Sequence, residues 1–306
     1  MIMKSSFGFT RYWDRGSVGN ILSLAVGLVE RGLGFLISTS LFLAASGVFK
    51  LYLSFMLYGT APRWNLLAAT FFLVFAVYGA NKLTDIKEDE INNPERVRYV
   101  KRVARVLKYG VVLSFVLSLL LGALAGLGAV LVLSFPIVAG ILYSVRLVPG
   151  YPRLKDITGV KNLIIATTWA NGTAFLPYIA AGGIEPAKVF LVYYFFFMKS
   201  MINTMLFDVR DIEGDRINGI KTVPVKLGLE KSRALLLLLN STFIPWLLVA
   251  YRFGYFLNYI PVLVFAILNG YAYILYFSRK GYRPGKILDV WVDGEWFYTL
   301  PLAMLL

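Results

Sequence analysis

The sequence predicts an all-α integral membrane protein, and three observations carry that prediction. Of 306 residues, 58% are hydrophobic and only 16% are charged. The mean hydropathy is +0.68. The apolar residues also fall in runs long enough to cross a bilayer, roughly 20 residues each. A soluble chain of this length could bury a core, but it would carry far more polar surface.

About nine such runs are predicted. The first, near 33–59, is interrupted by Lys50. The next three lie near 65–84, 107–126 and 128–146, followed by 162–182, 187–207, 234–252 and 255–277. The last, near 287–306, contains Asp289, Asp293 and Glu295, which places part of it in the interface. The first residues mix polar groups with Phe7, Phe9, Tyr12 and Trp13 and have no signal-peptide pattern. The 27 glycines permit close helix packing.

Charge orients the spans. The segments 82–108, 144–161, 208–233 and 278–286 are rich in Lys and Arg, whereas the turns near 123–127 and 181–188 are nearly uncharged. The positive-inside rule puts the basic loops and the N-terminus in the cytoplasm, and an odd number of spans puts the C-terminus outside. The plasma membrane of a prokaryote is the expected location. A net charge of +14 would suggest nucleic acid on a soluble protein. Here it is assigned to anionic lipid and phosphate-bearing substrates, with no nucleic-acid partner.

The chain has no cysteine and no histidine. Disulfides, thiol catalysis, imidazole acid–base chemistry and His-ligated metals are thereby excluded. Carboxylate oxygen remains as a metal ligand, which suits magnesium, manganese or calcium.

Two acidic clusters share one spelling. Asp85-Ile86-Lys87-Glu88-Asp89-Glu90-Ile91-Asn92 and Asp211-Ile212-Glu213-Gly214-Asp215-Arg216-Ile217-Asn218 both read D-I-x-x-D-x-I-N. Each follows an apolar span on the basic side. Asn81 precedes the first cluster and Asp208 the second. Two similar halves, about 17–150 and 151–306, would bring the clusters face to face across a cavity. Asn81, Asp85 and Asp89 recur every four residues and so share a helix face; Asp208, Asp211 and Asp215 also cluster. Carboxylates gathered this way repel unless cations bridge them. Magnesium is commonly shared between a few carboxylates and substrate phosphates, so two such sets form a clamp for a diphosphate through two ions.

These residues carry a resemblance. Asn81-x-x-x-Asp85-x-x-x-Asp89 and Asp208-x-x-Asp211-x-x-x-Asp215 resemble the two aspartate-rich motifs of the UbiA superfamily of intramembrane prenyltransferases. Lys82 departs from the pattern, where the family often has aspartate. The family's basic, Tyr-containing loop has its counterpart in Tyr143-Ser144 and Tyr151-x-x-x-Lys155. The resemblance implies a ring of nine helices around a central cavity with a small cytoplasmic cap. It also implies transfer of an isoprenyl group from a polyprenyl diphosphate to a hydrophobic or aromatic acceptor, among membrane lipids. Asn81, Asp85, Asp89, Asp208, Asp211 and Asp215 would hold two magnesium ions, with manganese as a substitute. Asp85, Asp211 and Asn81 would be the catalytic core. Lys155 and Arg210, with Arg96 and Lys221, would contact phosphate oxygens. Tyr143, Tyr151 and Arg31 would touch the acceptor or phosphate.

For the acceptor, an aromatic quinone precursor is the first expectation and a geranylgeranylglycerol phosphate of lipid synthesis the second. A cation-coupled transporter and an intramembrane diphosphatase are the alternatives of other classes. A transport site is expected near the membrane midplane, whereas these acids stand at helix ends.

Overall fold

The computed structural model describes residues 3–4, 10–11, 27–29, 32–84, 86, 90, 94–144, 154, 157–282, 285 and 287–306, with 94–96 and 141–144 described as helix only. Apart from a two-residue antiparallel pairing of Met3–Lys4 with Thr10–Arg11, the regular structure of the described residues is helical.

The rods follow one another as the apolar runs require. They are α1 (Leu41–Tyr58), α2 (Trp64–Thr84), α3 (Pro94–Ala123), α4 (Leu127–Ser144), α5 (Val160–Ala181) and α6 (Pro186–Arg210). Two short helices, α7 (Ile212–Ile217) and α8 (Val223–Leu227), lead into α9 (Leu229–Ser241) and α10 (Phe243–Arg252). The chain ends with α11 (Ile260–Phe277), a π-helical turn (Asp289–Asp293) and α12 (Glu295–Met304).

Six helical stretches among the described residues are long and apolar enough to cross a membrane: Leu41–Tyr58, Trp64–Thr84, Val97–Ala123, Pro186–Arg210, Leu229–Arg252 and Leu257–Phe277. This makes the protein a multi-pass membrane protein, with six such stretches where nine were expected. The other three predicted spans are also helical. Of these, α5 carries Asn162, Thr168 and Thr173 among its buried residues, α4 is apolar over Leu127–Gly140, where the described side chains of that helix end, and the last span is broken by the π turn. Polar side chains inside these segments turn toward protein rather than lipid. The first predicted span also divides. A helical stretch over 32–38 ends at Thr39–Ser40, where Ser40 takes φ 68°, and α1 starts at Leu41.

Small residues let the rods approach. A Cβ on Gly79 would lie 2.8 Å from Val111 Cγ2, so glycine is what allows α2 to close on α3. The larger apolar cluster forms around α6, where Phe195 and Phe196 are fully buried and Phe195 stacks on Trp246 of α10 at 5.3 Å. The run Tyr193–Phe197 therefore builds core instead of lining a cavity.

A buried ion pair ties α6 to α12. Lys199 Nζ lies 2.5 Å from Glu295 Oε1, with both side chains fully buried. Lys199 also donates to the Ala266 carbonyl at 3.0 Å and to the Tyr273 hydroxyl at 3.2 Å. Removing one partner of such a pair leaves an uncompensated charge and costs about 3–5 kcal/mol. Lys199→Met is therefore expected to lower the melting temperature in detergent sharply, and Lys199→Met with Glu295→Met to recover most of the loss.

Candidate active site

The C-terminal ends of α2 and α6 open onto one cavity of about 320 Å³. Asn81 and Lys82 line it from α2, and Asp208, Arg210 and Asp211 from the end of α6. Lys161, Trp169 and Thr173 come from α5, Ser46 and Lys50 from α1, and Asp289, Asp293 and Trp296 from the last segment. Asn81, which opens the first motif, and Asp208 and Asp211 of the second thus meet the same space.

The acids at this end are held by basic partners. Lys161 Nζ stands 3.0 Å from Asp208 Oδ1, and Asn162 Nδ2 donates to Asp208 Oδ2 at 2.8 Å. Asn162 also donates to Thr204 Oγ1 at 2.9 Å, which fixes the start of α5 to the end of α6. Arg210 grips Asp211 with two parallel bonds of 2.8 Å, from Nε and Nη2. Its Nη1 reaches Asp289 Oδ1 at 3.4 Å. Arg210 is therefore a bridge between the second motif and the last segment, and its fork suits carboxylate and phosphate alike.

Asp215 lies on α7, outside the spans, and is buried. Its Oδ2 is enclosed without a hydrogen bond among the described residues. Burial pushes its carboxyl up to about 6; the Asp208 and Asp211 charges push the same way, and Lys161 opposes them. A bound cation would reverse that balance.

Lys82 has a different task from the aspartate it replaces in the family pattern. Its ammonium donates to the carbonyls of Ile37 at 2.8 Å and Ser38 at 2.9 Å. It caps the helical stretch that precedes α1, where a cation suits the free carbonyls.

Other predicted residues fall differently. Lys221 is exposed and does not line the cavity. Asp85, Asp89, Tyr151, Lys155 and Arg31, and the side chains of Tyr143 and Arg96, lie outside the described residues. Among the aromatics, Tyr78 and Trp169 line the cavity and stack at 5.5 Å with planes 5° apart.

Several cavity residues were not singled out as site residues. Lys161, on the cavity wall, and Asn162, buried behind it against Asp208, sit at the entrance of an apolar run and read as its flank. Lys50 reads as an interruption of the first span. It donates to Ser200 Oγ at 2.8 Å and lies 5.4 Å and 5.6 Å from the Phe196 and Trp296 ring centroids. A charge in the middle of an apolar run is the signal that marks it.

Among the described residues no three carboxylates converge on a metal position by themselves. Magnesium does not require that, because it binds through one or two carboxylates together with water and phosphate. Asp208 and Asp211 face the cavity and Asp215 has an unsatisfied buried oxygen, so the donor set fits a hard divalent cation.

Comparison with known proteins agrees with this geometry. The model of the UbiA prenyltransferase family matches residues 23–292. The digeranylgeranylglyceryl phosphate synthase of Sulfurisphaera tokodaii is 27% identical over 228 residues, covering 69% of this chain and 77% of the relative. The protein of the same name from Methanothermobacter thermautotrophicus is 33% identical over 207 residues, covering 64% and 68%. A solved UbiA homolog from Archaeoglobus fulgidus, bound to GPP and Mg2+, shares the fold with a TM-score of 0.61 at 16% identity, covering 88% of this chain and 99% of that one. With the family match spanning most of the chain, and Asn81, Asp208 and Asp211 lining one cavity between membrane helices, the protein belongs to the UbiA prenyltransferase family.

Proposed function

We propose that the protein transfers a geranylgeranyl-type group from its diphosphate to a geranylgeranylglycerol phosphate, forming a second ether bond of a membrane lipid. The observation that carries the reading is the cavity itself, where Asn81 of the first motif and Asp208 and Asp211 of the second stand beside four basic side chains, Lys50, Lys82, Lys161 and Arg210. Two phosphorylated substrates need that much positive charge; a neutral ring does not. The names of the relatives point the same way. This acceptor replaces the aromatic quinone precursor expected first from the sequence.

Asp208, Asp211 and Asp215 would hold magnesium at the second motif, with Asn81, Asp85 and Asp89 at the first. Bound there, the metal supplies Lewis acidity to the departing diphosphate. The chain's own residues do the rest. Arg210 and Lys161 direct charge-assisted hydrogen bonds at phosphate oxygens. Tyr78 and Trp169 present aromatic faces to the allylic centre, where positive charge builds as the carbon–oxygen bond to diphosphate lengthens. The apolar walls, including Leu51, Leu73 and Val74, limit water that would quench it. Lys50, about one turn further along α1 than Ser46, is placed to receive the acceptor's phosphate.

A second, almost wholly apolar cavity of about 660 Å³ lies between the 32–38 stretch, α1 and the last segment. Leu36, Phe42, Trp291 and Phe297 line it, and it suits a lipid tail.

Two outcomes are expected. A non-hydrolysable geranylgeranyl diphosphate analogue should bind the purified protein with magnesium and lose at least about tenfold in affinity in chelator or in Asp211→Ala, the loss of roughly 1.4 kcal/mol or more that a phosphate–metal clamp implies. Equal binding in all three conditions would remove the proposal's core. Lys50→Met should raise the KM for the glycerol phosphate acceptor about tenfold, as loss of a hydrogen bond to a charged group predicts, with donor-analogue binding unchanged. An unchanged KM would take Lys50 out of the acceptor site.

A further inference from the structure

The transfer reaction leaves one proton to be placed, and the last segment holds a group suited to take it. Four acids line the cavity among the described residues: Asp208, Asp211, Asp289 and Asp293. Asp208 is engaged by Lys161 and Asn162, and Asp211 and Asp289 by Arg210. The Asp293 carboxylate makes no hydrogen bond or ion pair among the described residues, although the charges of Arg210, Lys50 and Lys82 act on it from three other elements.

The backbone around Asp293 is shaped to aim it. Asp289–Asp293 forms a π-helical turn, a departure from α-geometry that is frequent at functional sites. Both ends of that turn reach the cavity, while Glu295 two residues later points away to Lys199. The turn requires the residue after it to be glycine. A Cβ on Gly294 would lie 2.0 Å from the Val290 carbonyl oxygen and 2.9 Å from Phe42 Cζ. The Ser46 hydroxyl donates to the Asp293 backbone carbonyl, which fixes the turn against α1 without using the carboxylate.

Position follows from the same turn. Asp289 shares Arg210 with Asp211 and so marks the diphosphate end of the cavity. Asp293 comes one turn later, roughly 5 Å further along the axis. Lys50 and Trp296 line the same cavity, with the Lys50 ammonium 5.6 Å from the Trp296 ring centroid. Ser46 bonds the Asp293 carbonyl, and Lys50 follows Ser46 by one turn of α1, so Asp293 stands one turn from Asp289 at the diphosphate end and beside the place proposed above for the acceptor.

We propose that Asp293 is the general base of the transfer, accepting the proton of the acceptor's hydroxyl. This rests on the function proposed above. The acceptor oxygen attacks the first carbon of the prenyl chain, and the carbon–oxygen bond to diphosphate breaks with its electron pair leaving on the diphosphate. An ether bond forms, and the hydroxyl proton passes to the Asp293 carboxylate, from which it leaves to water when the products depart. A positioned general base contributes about 100- to 10,000-fold.

The test compares Asp293→Asn and Asp293→Glu with the wild type, measuring ether formation from geranylgeranyl diphosphate and geranylgeranylglycerol phosphate beside binding of the donor analogue with magnesium. Asparagine keeps the shape of the side chain and leaves the Ser46 bond in place. The expected result is a fall in kcat of at least about 100-fold in Asp293→Asn. KM for the acceptor and donor binding stay near wild type, and Asp293→Glu recovers to within about tenfold of wild-type kcat. A merely structural role would not give that split or that rescue. Transfer by Asp293→Asn at a rate close to wild type would overturn the assignment, and so would loss of donor binding in both variants. Ether formation by the wild type in the same assay separates this proposal from the acceptor assignment on which it rests.

Discussion

The structure depends on the cost of placing charge among apolar helices. A carboxylate or ammonium taken from water loses several kcal/mol of hydration unless partners replace it. Among the described residues, the protein pairs buried charges in two places. At the ends of α2 and α6, Lys161 and Arg210 hold Asp208, Asp211 and Asp289. Deeper in the helices, Lys199 and Glu295 neutralise one another. The second pair binds helix to helix and faces no cavity. The first group faces the cavity, so under the proposed function its basic members would turn from carboxylate to phosphate when substrate arrives.

That exchange links fold to chemistry. Arg210 carries five fixed donors and makes three contacts to carboxylates, two to Asp211 and one to Asp289, in a cavity where a diphosphate would offer the same geometry. Asp215 sits behind this layer with an enclosed, unsatisfied oxygen. Its carboxyl is pushed upward mainly by burial, a strain that a divalent cation relieves. The glycines at helix crossings and at the π turn keep the walls close enough for these groups to share one space.

Much of this was legible from residues. The apolar runs located the rods, because burial in lipid forces every span to be helical. The second acidic motif located one wall of the cavity, through Asp208 and Asp211, since carboxylates near lipid are costly without a task. Three features were hidden for physical reasons. Hydropathy does not register that Asn162, Thr168 and Thr173 are buried inside α5, so nine uniform spans were expected, of which six stretches among the described residues reach membrane length and apolarity. Lys82 reads as a defect in a metal motif, yet its partners are the carbonyls of Ile37 and Ser38, more than 40 positions away. The π turn is invisible to a period of 3.6, so Asp289 and Asp293 looked like interfacial charges instead of cavity walls.

The most direct test of the account is a competition between acceptors. Purified protein would receive labelled geranylgeranyl diphosphate and magnesium with equal geranylgeranylglycerol phosphate and 4-hydroxybenzoate, and the products would be separated by mass. The account predicts the diether phosphate lipid and no prenylated ring. A prenylated ring as the main product would contradict it, and would return the four basic side chains of the cavity to the donor alone.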